Sequence, residues 1–293
     1  MVPNALFKLF GNGVYLYGIC IAIGLVACIL FFFYFTKRRG MPENVQEFAF
    51  FVTIIAIGVG FLFAKLYQAV YVWMETGKFD FYSAGITVMG GLIGGAAMFI
   101  LSYFLGGKIF FRGSIKGVHV KHFYTIVLVA PMCILIAHAF GRIGCLMAGC
   151  CHGTYLGSDY VVGGIYMYGT VNGYHQWGYY IPTQLYEALF LFIAFGALWY
   201  LYEKKGATFT MPVYLISYGA WRMIIEIFRG DAARVENLAL GLTPSQWQSI
   251  FFILGGAAYL LIIFLKKAPF FEKDRILSKE QMLVIYGKKP TSK

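Results

Sequence analysis

Seven long apolar stretches, at roughly 14–36, 47–73, 84–106, 124–146, 183–203, 211–229 and 247–266, are separated by shorter segments that gather most of the polar residues. Each approaches or exceeds the about 20 residues that an α-helix needs to cross a bilayer. The runs are continuously apolar and show none of the two-residue alternation that a membrane barrel requires, so they predict helices and not strands. The expected architecture is an all-α, polytopic membrane protein with seven transmembrane helices.

The polar segments orient these helices. Lys37, Arg38 and Arg39 follow the first run, and Lys108, Arg112, Lys116 and Lys121 lie between the third and fourth. Lys204 and Lys205 follow the fifth, and eight Lys or Arg residues lie between Lys266 and Lys293. All of these fall on one side, while the opposite loops carry few and balanced charges. The excess of Lys and Arg on cytoplasmic loops then puts the N-terminus outside and the C-terminus in the cytoplasm. The longest connection, 147–182 between helices 4 and 5, is expected to be extracytoplasmic. Its Gly and Tyr content suggests a functional loop and not a mere connector. Residues 1–267 are read as one membrane domain with no internal boundary or repeat, and 268–293 as a basic cytoplasmic tail. That tail either lies on the anionic inner leaflet or is simply solvated.

Composition strengthens the membrane reading. Of 293 residues 60% are hydrophobic, 19% aromatic and 13% charged, with a mean hydropathy of +0.70, too apolar for soluble domains. The net charge of +11 does not indicate nucleic acid, because the basic residues sit where membrane topology demands them. No basic n-region or cleavage site precedes the first run, which is therefore expected to be retained as a helix.

Chemistry is concentrated in few places. Gly141-Arg142-Ile143-Gly144-Cys145 ends the fourth run, and Cys150-Cys151-His152-Gly153 follow. An arginine within an apolar run is costly unless it faces a partner or an aqueous cavity, so Arg142 is a candidate site residue. In the sixth run Tyr218, Arg222, Glu226 and Arg229 recur at helical spacing along one face. Arg222 and Glu226 are read either as a self-neutralising ion pair or as an arginine that Glu226 positions for an anion. Arginines from two helices would match phosphate oxygens in bidentate fashion. Gln184 and Glu187 fall in the first turn of the fifth helix, where capping is one explanation of the carboxylate. Gly90 and Gly91 serve either close helix packing or a lipid headgroup. His138, one turn before Arg142, is read as a proton carrier or as a hydrogen-bonded interior histidine. Cys145, Cys150 and Cys151 suggest small-residue packing, a disulfide or a reactive thiol. A structural metal usually takes four ligands in two spaced pairs, and the outer loops hold no second pair, so no metal is expected.

These motifs together resemble the prolipoprotein diacylglyceryl transferase family. The resemblance rests on Tyr17-Gly18, Gly90-Gly91-Leu92-Ile93-Gly94, Pro131, Gly141-Arg142-Ile143-Gly144, Pro182-Thr183-Gln184-Leu185-Tyr186-Glu187, Tyr218-Gly219-x2-Arg222-x3-Glu226-x2-Arg229-x-Asp231 and Gln246, in family order across nearly the whole chain. It implies a multi-pass enzyme of the bacterial plasma (inner) membrane. Such an enzyme moves the diacylglyceryl group of phosphatidylglycerol onto the lipobox cysteine of prelipoprotein signal peptides, releasing glycerol phosphate without a cofactor. The matching positions make Arg142, Arg222, Tyr17, Tyr218 and Glu226 candidates for catalysis, and His138 joins them by its place one turn before Arg142. Arg142, Arg222, Gly90, Gly91, Gly153, Gln184 and Arg229 are candidates for substrate binding. The chain departs from the family at Met89, where a histidine is usual, at Cys145 and Cys150 in place of asparagine and glutamate, and at Ile181 in place of histidine. His138 and His152 are the alternatives for the base. A lipid transferase with a different acceptor and a non-catalytic lipid-binding or transport protein are the competing readings.

Overall fold

A computed structural model describes residues 7–9, 12–82, 85, 87–171, 174–229 and 241–286. Two units are distinguished, one comprising residues 1–39 and 127–293 and the other residues 40–126.

The larger unit begins with a short hairpin of β1 (Phe7–Leu9) and β2 (Asn12–Val14), then α1 (Leu16–Arg38). It takes up the C-terminal part of α4 (Val118–Ala148), then α5 (Thr183–Lys205), α6 (Thr210–Ile227), α7 (Pro244–Leu265) and α8 (Lys279–Tyr286). Its core joins Phe35 of α1, Met132, Leu135 and Ala139 of α4, Leu191 and Tyr202 of α5 and Tyr218 of α6. In lipid the hydrophobic effect does not drive helices together, and close packing takes its place. Gly219 and Gly256 provide it between α6 and α7: a Cβ on Gly219 would stand 2.9 Å from Ser249 O, and one on Gly256 2.9 Å from Pro212 O. At the other end of the unit Arg38 pairs with Glu203 and Arg39 with Glu272, the latter at 3.0 Å. The tail docks there. Leu277 N–H donates to Arg38 O, Thr208 Oγ1 donates to Phe270 O, and the Lys37 ammonium stands over the Tyr286 ring.

The smaller unit contains α2 (Glu43–Thr76) and α3 (Val88–Phe110). Gly60, Gly91 and Gly95 bring the two backbones together, and a Cβ on Gly90 would meet Tyr67 Cβ at 2.6 Å. Gly90 is therefore a point of helix contact.

Among the described residues six helices are long and apolar enough to cross a membrane: α1, α2, α3, α4, α5 and α7. The sixth expected span is a helix too, but α6 has 18 residues and carries Arg222 and Glu226 inside it, which lowers its hydropathy. The helices α2 and α4 extend beyond their apolar cores at both ends, by two to six residues, because hydropathy marks the lipid-facing part of a helix and not its caps.

The loop 147–182 folds as a sheet, which the helical periods of the chain did not suggest. Strands β3 (Tyr155–Gly157), β4 (Ile165–Val171) and β5 (Tyr174–Tyr180) pair antiparallel in the order β3-β5-β4. Their signal was present in the sequence: two aromatic-rich runs flank Asn172-Gly173, the dipeptide favoured in two-residue hairpins. Leu146, Met167 and Tyr180 form a small core under the sheet.

Candidate active site

The site lies within the larger unit, where α4, α5, α6 and the start of α7 contribute charged side chains. Glu187, one turn into α5 and 2% exposed, is its hub. Arg142 Nε stands 3.0 Å from Glu187 Oε2, and Arg222 Nη1 stands 3.7 Å from the same oxygen. Tyr218 donates its hydroxyl to Glu187 Oε1 at 3.2 Å, and His138 Nε2 lies 3.6 Å from that atom. The His138 and Tyr218 rings meet edge-on at 5.4 Å.

A second carboxylate holds the far side of Arg222. Glu226 Oε2 is 2.9 Å from Arg222 Nη2 and 3.9 Å from Arg229 Nη1. Thr243 donates to Glu226 Oε1 at 3.0 Å, and Ser245 Oγ accepts from Arg222 Nη2 at 3.0 Å. Thr243 also closes a capping box with Gln246 at the start of α7, so the cap that begins the helix anchors the carboxylate too. The Arg222–Glu226 ion pair weighed from the sequence is present, and it is part of a larger network.

Among the described residues, three guanidinium groups face two carboxylates in this network. Arg142 Nε and Arg222 Nη1 are both buried, and neither has an aligned hydrogen-bond acceptor among the described residues; their contacts to Glu187 are charge pairs only. Buried donors without acceptors are costly, by about 1–3 kcal/mol each. A tetrahedral anion lodged between the two arginines would supply the missing acceptors.

The other sequence candidates take varied places. Gln184 is fully buried and donates to Cys150 O at 2.7 Å, beside Thr183, which donates to Cys151 O at 3.0 Å. Gly153 pairs with Arg229 as an isolated antiparallel bridge, with its N–H donated to Ile181 O at 2.8 Å. Tyr17 packs on Gly144 and is 43% exposed, lining a cavity of about 650 Å³ with Gly13, Val14, Gly18, Met147 and Ala148. Gly90 and Gly91 belong to the smaller unit on α3, and Asp231 lies outside the described residues. His152 is buried against Tyr180, its ring centroid 4.3 Å from that of the tyrosine. Glu187 was the residue the sequence undervalued. Its place close to the start of a helix invited a capping explanation, whereas its side chain turns inward to the arginines.

Two results follow from this geometry. A Cβ on Gly153 would come within 2.6 Å of Phe228 O and 2.7 Å of Ile181 Cβ. Gly153→Ala is therefore expected to cost about 1–3 kcal/mol, as overpacking does, and to loosen the loop sheet; the thermal midpoint in detergent and protease cleavage within 155–182 report it. An unchanged midpoint with an unchanged digest would contradict the packing argument. The second concerns Cys151. Hydrogen bonds from Cys145 and Cys150, and beyond them the Arg142 and Arg229 guanidinium groups, pull its thiol well below the ordinary cysteine range. A lowered value keeps the thiolate as pH falls. Alkylation of Cys151 by iodoacetamide should thus persist at pH 6, where an ordinary thiol slows about tenfold for each pH unit below its pKa near 8.5. A rate that falls tenfold between pH 7 and pH 6 would refute it.

Buried arginines from two helices that converge on one carboxylate, among helices long and apolar enough to cross a membrane, mark the class: a polytopic helical membrane protein with a charged network inside it. Comparison with known proteins gives the class a family. The chain matches the prolipoprotein diacylglyceryl transferase family over residues 4–262, and it belongs to that family. It is 31% identical to the phosphatidylglycerol–prolipoprotein diacylglyceryl transferase of Clostridium tetani, over 86% of this chain and 94% of the relative. To the second such transferase of Clostridium perfringens it is 28% identical, over 85% and 91% of the two chains. To that of Halalkalibacterium halodurans it is 29% identical, over 96% and 92%.

Proposed function

We propose that this chain transfers the diacylglyceryl group of phosphatidylglycerol to the thiol of a prolipoprotein's lipobox cysteine, presented on a signal peptide, in the bacterial plasma membrane. In this reading α6 is the seventh span, the N-terminus is outside and the C-terminus cytoplasmic. Membership of the transferase family supports the reaction, and the carrying observation for its site is the convergence of Arg142 and Arg222 on Glu187 Oε2.

Phosphatidylglycerol presents a phosphodiester, and the two guanidinium groups bind its oxygens in place of part of their contact to Glu187. The acceptor thiol loses its proton to His138, whose Nε2 faces the Glu187 carboxylate. The sulfur attacks the diacylglyceryl carbon that bears the phosphate oxygen, an S–C bond forms there, and the C–O bond from that carbon to the phosphate breaks. Negative charge then grows on the departing glycerol phosphate, between the arginines. Charge that develops against preorganised cations in a water-poor site is where electrostatic catalysis is strongest. Tyr218 and Glu226 hold Glu187 and Arg222 in position. The cavity beside Tyr17 is lined mostly by apolar groups and suits the acyl-bearing end of the lipid.

The test is product analysis. Membranes containing the protein, supplied with head-group- and acyl-labelled phosphatidylglycerol and a lipobox peptide, should yield lipidated peptide and glycerol phosphate in equal amounts. Glycerol phosphate without lipidated peptide would point to another acceptor and overturn the prolipoprotein assignment. Formation of neither would overturn the transferase assignment.

A further inference from the structure

The three cysteines at the end of α4 remain outside the transfer chemistry, yet the backbone brings them together. The helix ends at Ala148, Gly149 turns left-handed at φ 71°, and Cys150 N–H folds back onto Cys145 O at 3.1 Å. This is a familiar glycine-terminated helix end. Cys151 is then left-handed as well, at φ 59°, a conformation that residues other than glycine adopt only at a cost and that clusters at functional sites. Two left-handed residues within three roll the chain over. As a result the Sγ atoms of Cys145, Cys150 and Cys151 lie within 4.8 Å of one another, all three as free thiols.

The cluster is held from behind. Thr183 and Gln184 fix the carbonyls of Cys151 and Cys150, so the turn that aims the thiols is tied to α5. Cys150 is exposed and gives access, while Cys145 and Cys151 are half-buried. Three thiolates around one ion, at a metal–sulfur distance of about 2.3 Å, stand about 4 Å apart. Rotation of the side chains by less than about an ångström would close the present spacing.

We propose that Cys145, Cys150 and Cys151 form a three-thiolate site for one soft, monovalent, three-coordinate metal ion of the Cu(I) type. Thiolate donors favour such ions. His152 follows directly in sequence, but its ring packs on Tyr180 with Nδ1 2.8 Å from Gly153 O, which leaves three sulfurs and no imidazole. A zinc ion would call for a fourth donor to complete its tetrahedron. One M⁺ held by three thiolates gives a complex of charge 2−. Arg142 and Arg229, the cations that act on Cys151, offset that charge. The sequence argued against metal because ligands were sought as spaced pairs, and a helix end that doubles back brings its own thiols together instead.

The experiment uses the full chain in detergent, fully reduced under argon, with its six cysteines verified as free thiols under denaturing conditions. Cu(I) is supplied as its acetonitrile complex in competition with a chromophoric Cu(I) chelator. One ion per chain is expected, with three sulfur neighbours by X-ray absorption. Cys145→Ser, Cys150→Ser or Cys151→Ser should each weaken binding by at least about a hundredfold, since every thiolate carries a large share of the binding free energy. Cys28→Ser should leave it unchanged. No uptake by the reduced protein, two sulfur neighbours, or full occupancy in the triple serine variant would each overturn the assignment. Should the triple variant not fold, the exposed Cys150→Ser decides alone. No lipid transfer enters the readout, so failure here is distinct from failure of the proposed function.

Discussion

Replacing Arg142 with alanine is expected to cut diacylglyceryl transfer by about 10²–10³-fold, the typical cost of removing one donor aimed at charge that develops in the transition state. The side chain is 14% exposed and points at Glu187 Oε2, so truncation also leaves Glu187 with a single arginine on that oxygen. Breaking a buried ion pair costs about 3–5 kcal/mol, and a folded-state control is therefore needed. Arg142→Lys supplies it. Lysine keeps the positive charge beside Glu187 but loses the planar fork that matches two phosphate oxygens. The lysine variant should retain most of its thermal stability while recovering only part of the activity. A folded Arg142→Ala protein with activity within tenfold of the parent would contradict the role assigned to this arginine.

Glu187→Gln should produce the largest stability effect. The substitution preserves shape and an acceptor for Tyr218, but it leaves Arg142 buried against a neutral group, while Arg222 keeps only Glu226. An uncompensated buried charge of this kind costs about 3–5 kcal/mol. The thermal midpoint should fall accordingly, and an anion should repair it. Glycerol phosphate, or inorganic phosphate at higher concentration, is expected to raise the midpoint of the glutamine variant more than that of the parent, because it takes over the place of the carboxylate between the arginines. Equal shifts in the two proteins would mean that the anion binds elsewhere or not at all.

Much of this architecture was legible in the chain. The apolar runs marked where long helices form, six of them long and apolar enough to cross a membrane among the described residues, because in lipid the backbone bonds must close within each segment. The arginine in the fourth run and the Tyr218–Arg222–Glu226–Arg229 face were visible because charge inside an apolar run stands out. What the sequence hid has physical reasons. Glu187 lies close to the start of a helix, where a carboxylate is ordinary, and only tertiary contact reveals its inward turn. The sheet of 155–180 was masked by Gly and Tyr, whose loop-like composition outweighed the Asn172-Gly173 signal. The thiol cluster depends on two left-handed residues within three, Gly149 and Cys151, and one of them is a cysteine, which no propensity predicts. The brevity of α6 as an apolar segment follows from the same two charges that build the site.

In the proposed reaction Arg142 and Arg222 hold one phosphate together. A double-mutant cycle on transfer from phosphatidylglycerol, with Arg142→Lys, Arg222→Lys and the double variant, measures this most directly. Side chains that share one partner are coupled by about 0.5–3 kcal/mol. The account predicts a double variant little slower than the slower single one, since either loss already breaks the clamp. Effects on kcat/KM that multiply, as independent sites would give, would contradict it.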